Sequence, residues 1–459
     1  MSLYPRFAPA LALPVLLAML SACGGGGAAG PGQAPLPAPP EPVRITYPRL
    51  ALMKVRANAD LWVALAATPR AIADVTIPER RLQVGTATWQ PPGGWSLVDF
   101  ALHPSGETSA VLSDGATLRL VRLDRRGQVL AQVPFTDPLV ASDPTDAAAG
   151  EIRDRAALAP WKSRDAVRLA PVGEEVALAL RGGGNAVVVY RLDGAYRPRW
   201  RTLVEPGIYL DAQRPTGGSF DPFEGMENHW QVFMDADAQG RVAVGVAISS
   251  RAELGPAHAR HFGEALPAGM VDGVLVTVLA ADGRRSPAIA LDNRDKAELH
   301  TLRWWGDTLL LAGRVRTGRP ADGSGWDGYV ARLHAGNRQV LAYRLADVDR
   351  GDAILDAVPL ADGRVLVAGA TGYTQNPGGE SVLDASLPLL ARVDLATGAV
   401  RRIPLAAGPR GNQVRGLAPW QGNWLLAGSD NLPSTHTEDA DPARVTADGY
   451  VRETMLPAE

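Results

Sequence analysis

The 459-residue sequence predicts an all-β fold in which one four-stranded unit recurs along the chain. From about residue 43 onward, short runs rich in β-branched residues alternate with Gly, Asp-Gly and Asn turns, and no helical period is sustained. A twelve-residue hairpin recurs at 302–313, 358–369 and 417–428 without gaps, and a fourth copy spans 235–246. A second hairpin with its own turn follows each copy. Residues 43–459 therefore accommodate about seven units of about 60 residues.

Four-stranded units repeated around a ring form a β-propeller, in which neighbouring sheets cover one another and only short, protected edges remain. We therefore predict a single propeller over residues 43–459 with seven blades, and six or eight blades stay open as alternatives. A pair of β-sandwiches also uses many short strands, but it does not require a fixed four-strand repeat.

Composition and charge narrow the classes of function. The 46 Lys and Arg residues against 49 Asp and Glu residues give a net charge of −3, which argues against a nucleic-acid-binding protein that depends on overall basicity. The single cysteine, Cys23, allows neither a disulfide framework nor a cysteine-based metal cluster within the chain.

The first 22 residues have the order of a secretory signal peptide. Arg6 precedes an apolar run over 7–20, and small residues follow. The run is interrupted by two prolines and is too short for a membrane-spanning helix. We expect residues 1–22 to be a targeting segment that is absent from the mature protein.

The cysteine stands directly after this segment. Residues 20–24 (LSACG) resemble the bacterial lipobox, with Cys23 at its invariant position. The resemblance implies cleavage before Cys23, diacylation of its thiol and acylation of the new amino terminus. Because residue 24 is Gly and not Asp, it also implies an outer-membrane lipoprotein facing the periplasm or the cell surface. Residues 23–42, rich in Gly and then Pro, predict a tether between lipid and folded domain. A stray cysteine behind an ordinary signal peptide is the alternative.

The hairpins are similar to those of one group of bacterial propellers. Residues 233–245 and 327–333 resemble the repeats called SBBP or delta-60 type, and 390–400 resembles one repeat of the quinoprotein type. These families include scaffold lipoproteins of outer-membrane assembly, so the resemblance implies a scaffold or binding role for this chain.

Long connections are expected on one face of the ring, at 135–163, 204–228, 249–272, 315–327, 371–388 and 429–443. Long loops on a rigid scaffold are where binding sites are usually found. Those at 204–228 and 249–272 combine aromatic and basic residues, which suits a glycan with acidic groups or an acidic peptide segment. Tolerated insertions are the alternative. The predicted ligand-binding residues are Tyr209, Arg214, Phe220, Phe223, His229, Arg251, His258, Arg260 and His261.

A second set of polar residues is expected around the central axis. Aligning the innermost strands predicts an axial ring made of Asp99, Arg168, Phe233, His300, Asp356 and Arg415. We expect Asp99 to pair with Arg168 and Asp356 with Arg415. Such pairs either fix the register of the blades or form a polar funnel that receives a ligand.

Motifs for chemistry and metal binding are weak. Asp235-x-Asp237-x-Gln239-Gly240 is half of a calcium loop without its closing carboxylate and is better explained as a hairpin turn. His258 and His261 lack the glutamate of a zinc-protease motif, and the acidic segment 438–441 beside His436 is typical of a solvated run. No cofactor is predicted, and calcium is the one ion left open.

The sequence therefore predicts a lipid-anchored, extracytoplasmic binding or scaffold module without catalytic activity. Its long-loop face would engage an envelope protein or a glycan, and its lipid would engage the membrane. The alternative is a propeller hydrolase or lyase with acid and base groups at the central mouth.

Overall fold

The repeats fold into seven four-stranded antiparallel sheets arranged as blades in a ring, which confirms the predicted seven-bladed β-propeller. The computed structural model describes residues 43–67, 80–114, 117–137, 167–181, 186–206, 232–249, 255–270, 272–293, 297–317, 325–375, 381–382, 385–432 and 447–456. The predicted signal peptide and tether lie outside the described residues.

Blades 1 to 6 each use strands in chain order, from the innermost strand A to the outermost strand D. Blade 1 comprises β2 (Ala51–Ala57), β3 (Trp62–Ala67), β4 (Arg80–Val84) and β5 (Ala87–Trp89). Blade 2 comprises β6 (Ser96–Leu102), β7 (Thr108–Ser113), β8 (Leu118–Leu123) and β9 (Val129–Phe135). Blade 3 comprises β10 (Val167–Val172), β11 (Glu175–Arg181), β12 (Ala186–Leu192) and β13 (Pro198–Pro206).

Blades 4 to 6 continue the same order, and blade 6 carries a small ribbon between its strands B and C. Blade 4 comprises β14 (Val232–Ala236), β15 (Val242–Ser249), β16 (Asp272–Leu279) and β17 (Ile289–Leu291), and blade 5 comprises β18 (Ala297–Trp305), β19 (Thr308–Arg316), β20 (Trp326–His334) and β21 (Val340–Ala346). Blade 6 comprises β22 (Asp352–Pro359), β23 (Val365–Thr371), β26 (Leu387–Val393) and β27 (Val400–Arg402). Its ribbon is formed by β24 (Thr374–Gln375) and β25 (Ser381–Val382).

The last blade is completed by a strand from the other end of the propeller. Strands A to C of blade 7 are β28 (Gln413–Trp420), β29 (Asn423–Asp430) and β30 (Asp448–Thr454), and β1 (Arg44–Pro48) pairs antiparallel with β30 as strand D. The Val43 carbonyl accepts the backbone N–H of Glu453 at 2.8 Å. The ring is thus closed by hydrogen bonds between segments that are distant in sequence.

The innermost strands of five blades contain a β-bulge, in which one extra residue lacks a partner on strand B. In blade 6 the extra residue is Leu355, between Ile354 and Asp356. The glycine of the repeated hairpin lies opposite, and a Cβ on Gly369 would be only 1.8 Å from the carbonyl oxygen of Ala353. The recurring glycine is therefore required by a close approach of two backbones at the bulge.

Apolar side chains fill the space between neighbouring blades. Leu65 of blade 1 packs with Phe100 and Leu112 of blade 2, and all three are fully buried. Burying a side chain of this size stabilises the folded state by about 1.5–3 kcal/mol. The contacts between blades, together with the hydrogen bonds within them, hold the ring together.

The connections give the two faces of the ring different character. The A–B turns contain two to five residues, whereas 31 residues separate β9 from β10, 25 separate β13 from β14, and 22 separate β15 from β16. Because strands within a blade are antiparallel, the A–B and C–D turns lie on one face, called here the tight-turn face. The B–C and D–A connections leave from the other, the long-loop face, as the sequence predicts.

One of these connections contains a helix that the sequence analysis did not predict. Helix α1 (Gly255–Phe262) forms where a loop was expected. Pro256 suits the first turn because it has no N–H to leave unsatisfied. Gly263 ends the helix with a φ of 66° and donates its N–H to the Ala259 carbonyl at 3.0 Å. Among the described residues, no helix has the length and apolarity that crossing a membrane requires.

The closure of blade 7 predicts a specific weak point. Ile45 stands opposite Val451 in the β1–β30 pair, and Ile45→Pro removes its N–H and fixes φ. We expect this change to lower the free energy of unfolding by about 2 kcal/mol, measured by denaturant titration. Ile45→Val is the control, since it keeps the N–H and a β-branched side chain. Equal stability of the two variants would show that β1 does not hold the ring closed.

Candidate functional site

The innermost strands of all seven blades surround a central cavity of about 570 Å³. All six residues of the predicted axial ring line this cavity. It is also lined by charged residues that the sequence analysis did not place there, which are Lys54, Arg56, Asp235, Glu298, Arg303 and Arg314. The axis of the ring is therefore a charged cavity.

Asp99 connects its own blade to both neighbours. One carboxylate oxygen accepts Lys54 Nζ of blade 1 at 2.7 Å, and the other accepts the backbone N–H of Leu169 in blade 3 at 2.9 Å. The expected partner, Arg168, acts on Asp99 electrostatically and stacks its guanidinium on the Phe233 ring at 4.9 Å. The close ion pair of Asp99 is thus with Lys54.

Asp356 connects three blades in a similar way. Its carboxylate accepts Arg303 Nη2 of blade 5 at 2.8 and 2.9 Å, and the backbone N–H of Leu417 in blade 7 at 2.9 Å. Arg56 of blade 1 approaches the same carboxylate to 3.8 Å. These contacts, and not the predicted pair with Arg415, hold Asp356 in place.

The contact from a carboxylate to the next blade is a repeated feature. Each instance runs from the innermost strand of an even-numbered blade to a backbone N–H on the innermost strand of the blade that follows. The three instances are Asp99 to Leu169, Asp235 to Trp304 and Asp356 to Leu417.

A separate charged cluster lies at the end of the cavity nearest the long-loop face. Glu298 accepts hydrogen bonds from Arg314 Nη2 and from His300 Nε2, the latter at 3.0 Å. His300 Nδ1 lies 2.8 Å from the carbonyl oxygen of Ile354. The two ring nitrogens of His300 therefore face an oxygen on its own strand and an oxygen of blade 6.

Burial and ion pairing shift the pKa values of the charged residues in the cavity in opposite directions. Burial raises the pKa of Asp99 and Asp356, but the neighbouring cations outweigh it, so both pKa values are lowered. The same balance lowers the pKa of Glu298. At Asp235 burial prevails and its pKa is raised. Burial also lowers the pKa of Lys54 to about 8, against the attraction of Asp99. Three of the four cavity carboxylates are therefore held as anions by their surroundings.

The predicted ligand-binding residues on the long loops are mostly outside the described part of the chain. Arg260 and His261 belong to helix α1, and His258 is described in full. Those outside the described residues are Tyr209, Arg214, Phe220, Phe223, His229 and Arg251.

His258 lies in the core and not on an exposed loop. Its Nε2 lies 3.2 Å from a carboxylate oxygen of Glu205, and its Nδ1 lies 3.4 Å from one of Glu264. Arg285 pairs with Glu264 and stacks over the Phe262 ring at 3.7 Å. This buried cluster attaches α1 to blades 3 and 4, so in this structure His258 has a structural position that is inaccessible to a ligand.

The half calcium loop is a hairpin turn, as the sequence analysis favoured. Asp237 accepts the backbone N–H of Arg241 at 2.8 Å and forms an ion pair with its side chain, whereas Asp235 faces the cavity. The acidic segment 438–441 and His436 lie outside the described residues.

Among the described residues, one group of carboxylates is close enough to share a cation. One oxygen from each of Asp327, Asp347 and Asp352 lies within 4.8 Å of the others. Asp352 already accepts hydrogen bonds from Thr371 Oγ1 and from the backbone N–H of Val348. Burial, with a smaller contribution from the charge of Asp347, raises the pKa of Asp352 to about 6.

The sequence did contain a signal for the missed basic residues. Lys54 and Arg56 interrupt the otherwise apolar strand β2 (ALMKVRA), and charges inside such a strand indicate polar surroundings. The first repeat is degenerate, so the alignment of innermost strands did not extend to it.

The pKa of Asp352 predicts a dependence of stability on pH. An unfolded aspartate has a pKa of about 3.9, so the native state binds more protons between pH 4 and 6, and stability falls as the pH rises through this window. Asp352→Asn removes the titrating group. The unfolding free energy of the variant minus that of the wild type should increase from pH 4 to pH 7 by on the order of 2 kcal/mol.

The measurement is a set of denaturant titrations at pH 4, 5, 6 and 7. Asp60→Asn is the control for the loss of one carboxylate, because Asp60 is exposed on the tight-turn face. A difference for Asp352→Asn that changes with pH no more than that for Asp60→Asn would contradict the prediction.

The chain matches no protein-family profile and no curated protein. Among solved structures, it is similar to the WD40 β-propeller domain of Doa1, with 7% identity, a TM-score of 0.44, and coverage of 89% of this chain and 95% of that one. The β-propeller domain of the Trilobed protease from Pyrococcus furiosus is 10% identical, with a TM-score of 0.45 and coverage of 89% and 96%. An acylaminoacyl peptidase is 10% identical, with a TM-score of 0.41 and coverage of 84% and 50%.

Proposed function

We propose that this protein is a lipid-anchored, extracytoplasmic β-propeller that binds an envelope protein or a glycan on its long-loop face, without catalytic activity. The observation that carries the proposal is the contrast between the two faces. Every A–B turn is short, whereas the three longest connections between strands leave from the opposite face. Long connections on a rigid ring provide variable surface without disturbing the core.

The charged cavity supports a binding role over catalysis. The carboxylates of Asp99, Asp356 and Glu298 each have a close basic partner, and their lowered pKa values keep them ionised. A general acid or base requires a pKa near the working pH and an open path to substrate. Asp99 and Asp356 are instead committed to contacts between blades, and Glu298 to its ion pair with Arg314 of the same blade.

The amino-terminal segment supports an anchored location. The lipobox at 20–24 would place acyl chains on Cys23, and the Gly- and Pro-rich segment 24–42 would separate the lipid from the first strand. Each buried methylene of an acyl chain contributes about 0.8 kcal/mol to membrane binding, so two or three chains anchor stably.

The anchor depends on a single atom, the Cys23 sulfur. Cys23→Ser should abolish incorporation of labelled palmitate and move the protein from the membrane to the soluble fraction. Ser21→Ala, which leaves the cysteine intact, is the control and should label normally. Membrane association of Cys23→Ser in high salt would contradict lipid anchoring.

The binding face is tested by replacing residues 207–231 with a Gly/Ser linker of about eight residues, long enough to cross about 14 Å from strand D to the next strand A. We expect the unfolding temperature to change little, while crosslinked partners recovered from solubilised envelope are lost. The connection carrying α1 is unsuitable for this test, because His258 and Glu264 are buried there.

The matched control alters the opposite face. Arg126→Glu and Arg284→Glu change exposed side chains in turns of the tight-turn face and should leave partner recovery unchanged. Loss of partners in these variants, with retention after the 207–231 replacement, would assign function to the tight-turn face.

A further inference from the structure

Charges of opposite sign alternate from blade to blade around the cavity. The innermost strands of even-numbered blades contribute carboxylates, and those of odd-numbered blades contribute basic groups, with one exception: blade 5 also contributes the carboxylate of Glu298, which pairs with Arg314 of the same blade. In order around the ring the residues are Lys54 and Arg56 in blade 1, Asp99 in blade 2, Arg168 in blade 3, Asp235 in blade 4, Arg303 in blade 5, Asp356 in blade 6 and Arg415 in blade 7.

An alternating pattern cannot close around an odd number of blades. Blades 7 and 1 are neighbours, and both are basic. Their innermost strands touch, since a Cβ on Gly416 would lie 2.9 Å from the backbone nitrogen of Val55. Arg415 and Arg56 flank this contact, one on each strand. The innermost strands on both sides of the seam between blades 7 and 1 therefore carry a basic residue that lines the cavity.

The cavity as a whole also has more basic than acidic side chains in its lining. Six Lys and Arg side chains line it against four Asp and Glu side chains. Each of the carboxylates of Asp99, Asp356 and Glu298 is approached by two basic groups. Positive charge in a cavity with low-dielectric walls attracts anions strongly.

Arg56 is the basic group best placed to hold an anion. Among the described residues, its side chain makes one hydrogen bond, from Nη1 to the carbonyl oxygen of Val55 at 2.8 Å. A guanidinium carries five N–H donors, and the carboxylate of Asp356, 3.8 Å away, is already engaged by Arg303 at 2.8 Å. The Arg56 side chain is 37% exposed. It thus presents a fork of donors to the cavity.

The electrostatic surroundings of Arg56 agree with this geometry. Burial and then the like charge of Arg303 lower the pKa of Arg56 to about 10. Two guanidinium groups converge on one carboxylate, which leaves a charge that a second anion could neutralise.

We propose that the central cavity binds the oxyanion group of a small ligand, a carboxylate or a phosphate, through the guanidinium of Arg56, with Arg415 contributing charge from the adjacent blade. A planar fork of N–H donors matches the oxygens of either group. The cavity volume of about 570 Å³ lies within the range of small-molecule sites. This inference rests on the proposed binding role and names the chemistry that the cavity selects.

The test is calorimetric titration of the full chain in a non-ionic detergent with citrate and, separately, with inorganic phosphate, each compared with sodium chloride at equal ionic strength. We expect saturable binding of at least one oxyanion, and none of chloride. Binding of citrate alone identifies a carboxylate site, and binding of phosphate alone identifies a phosphate site; both support the proposal.

Two variants assign the binding to Arg56. Arg56→Gln should weaken it by at least about tenfold, the effect of losing a charge-assisted hydrogen bond. Arg401→Gln makes the same change of charge on an exposed outer strand and should bind as the wild type does. Saturable binding that Arg56→Gln leaves unchanged would overturn the proposal.

A stability measurement without ligand separates a binding role from a structural one. Arg56→Gln removes an incompletely neutralised cation, so its unfolding temperature should equal or exceed that of the wild type. Asp356→Asn, which disrupts the contacts to Arg303 and Leu417, should unfold at a lower temperature. If the unfolding temperature of Arg56→Gln falls as far as that of Asp356→Asn, Arg56 has a structural role, and the proposal is overturned.

The outcome also distinguishes this inference from the proposed function. If the folded wild type binds neither oxyanion but still recovers envelope partners through 207–231, the cavity proposal fails and the binding role stands. If an oxyanion binds through Arg56 but the loop replacement leaves partner recovery unchanged, the cavity proposal stands and the long-loop assignment fails.

Discussion

The ring depends on carboxylates lining the central cavity that accept a backbone N–H from the next blade. Asp99, Asp235 and Asp356 make this contact at distances of 2.8 to 2.9 Å. Removing a charge from water costs several kcal/mol, and such a group stabilises a fold only when cations and hydrogen bonds surround it. Because the cations come from other blades, each carboxylate fixes how the neighbouring blades are oriented and how far they are shifted along the axis of the ring. Apolar packing alone permits some sliding between sheets, but a hydrogen bond to one particular amide does not.

This contact joins three of the seven pairs of neighbouring blades, and the seam at which the chain closes the ring is held differently. Between blades 7 and 1, Leu52, Trp62 and Leu425 are buried together, and the backbone N–H of Leu52 donates to Ser429 Oγ at 2.9 Å. Strand β1 adds its hydrogen bonds to β30 on the outside. Apolar packing and hydrogen bonds therefore hold this seam, and both of its innermost strands carry an arginine that lines the cavity.

The fold could be read from the sequence because each blade repeats one local pattern. Turns and alternating strands are set by neighbouring residues, and the glycine at position 369 marks a close approach that any side chain would block. The sequence predicted only some of the charged residues that line the cavity. A bulge adds one residue to strand A, so His300 and Arg415 are extra residues of their bulges, whereas Asp99 and Asp356 follow theirs. An alignment at constant spacing cannot include that shift.

Other features depend on contacts that leave no local pattern. The pairing of β1 with β30 joins segments from opposite ends of the propeller. The core position of His258 requires Glu205 from a strand 53 residues earlier, and a histidine in a polar segment otherwise suggests an exposed loop. Lys54 appears anomalous within β2 until Asp99 is placed beside it. In each case the information lies in the three-dimensional arrangement of the blades.

The cavity charges are also arranged in depth. All innermost strands run from the long-loop face toward the tight-turn face, so position along a strand gives depth along the axis. Glu298 and His300 lie near the start of β18, and Arg56 lies next to the end of β2. A ligand that enters from the long-loop face therefore meets the cluster of Glu298, His300 and Arg314 first, and the fork of Arg56 lies deeper. Because field lines concentrate within a narrow low-dielectric passage, the deeper charge acts on an anion throughout its entry, and in the outer cluster the charge of Arg314 offsets that of Glu298.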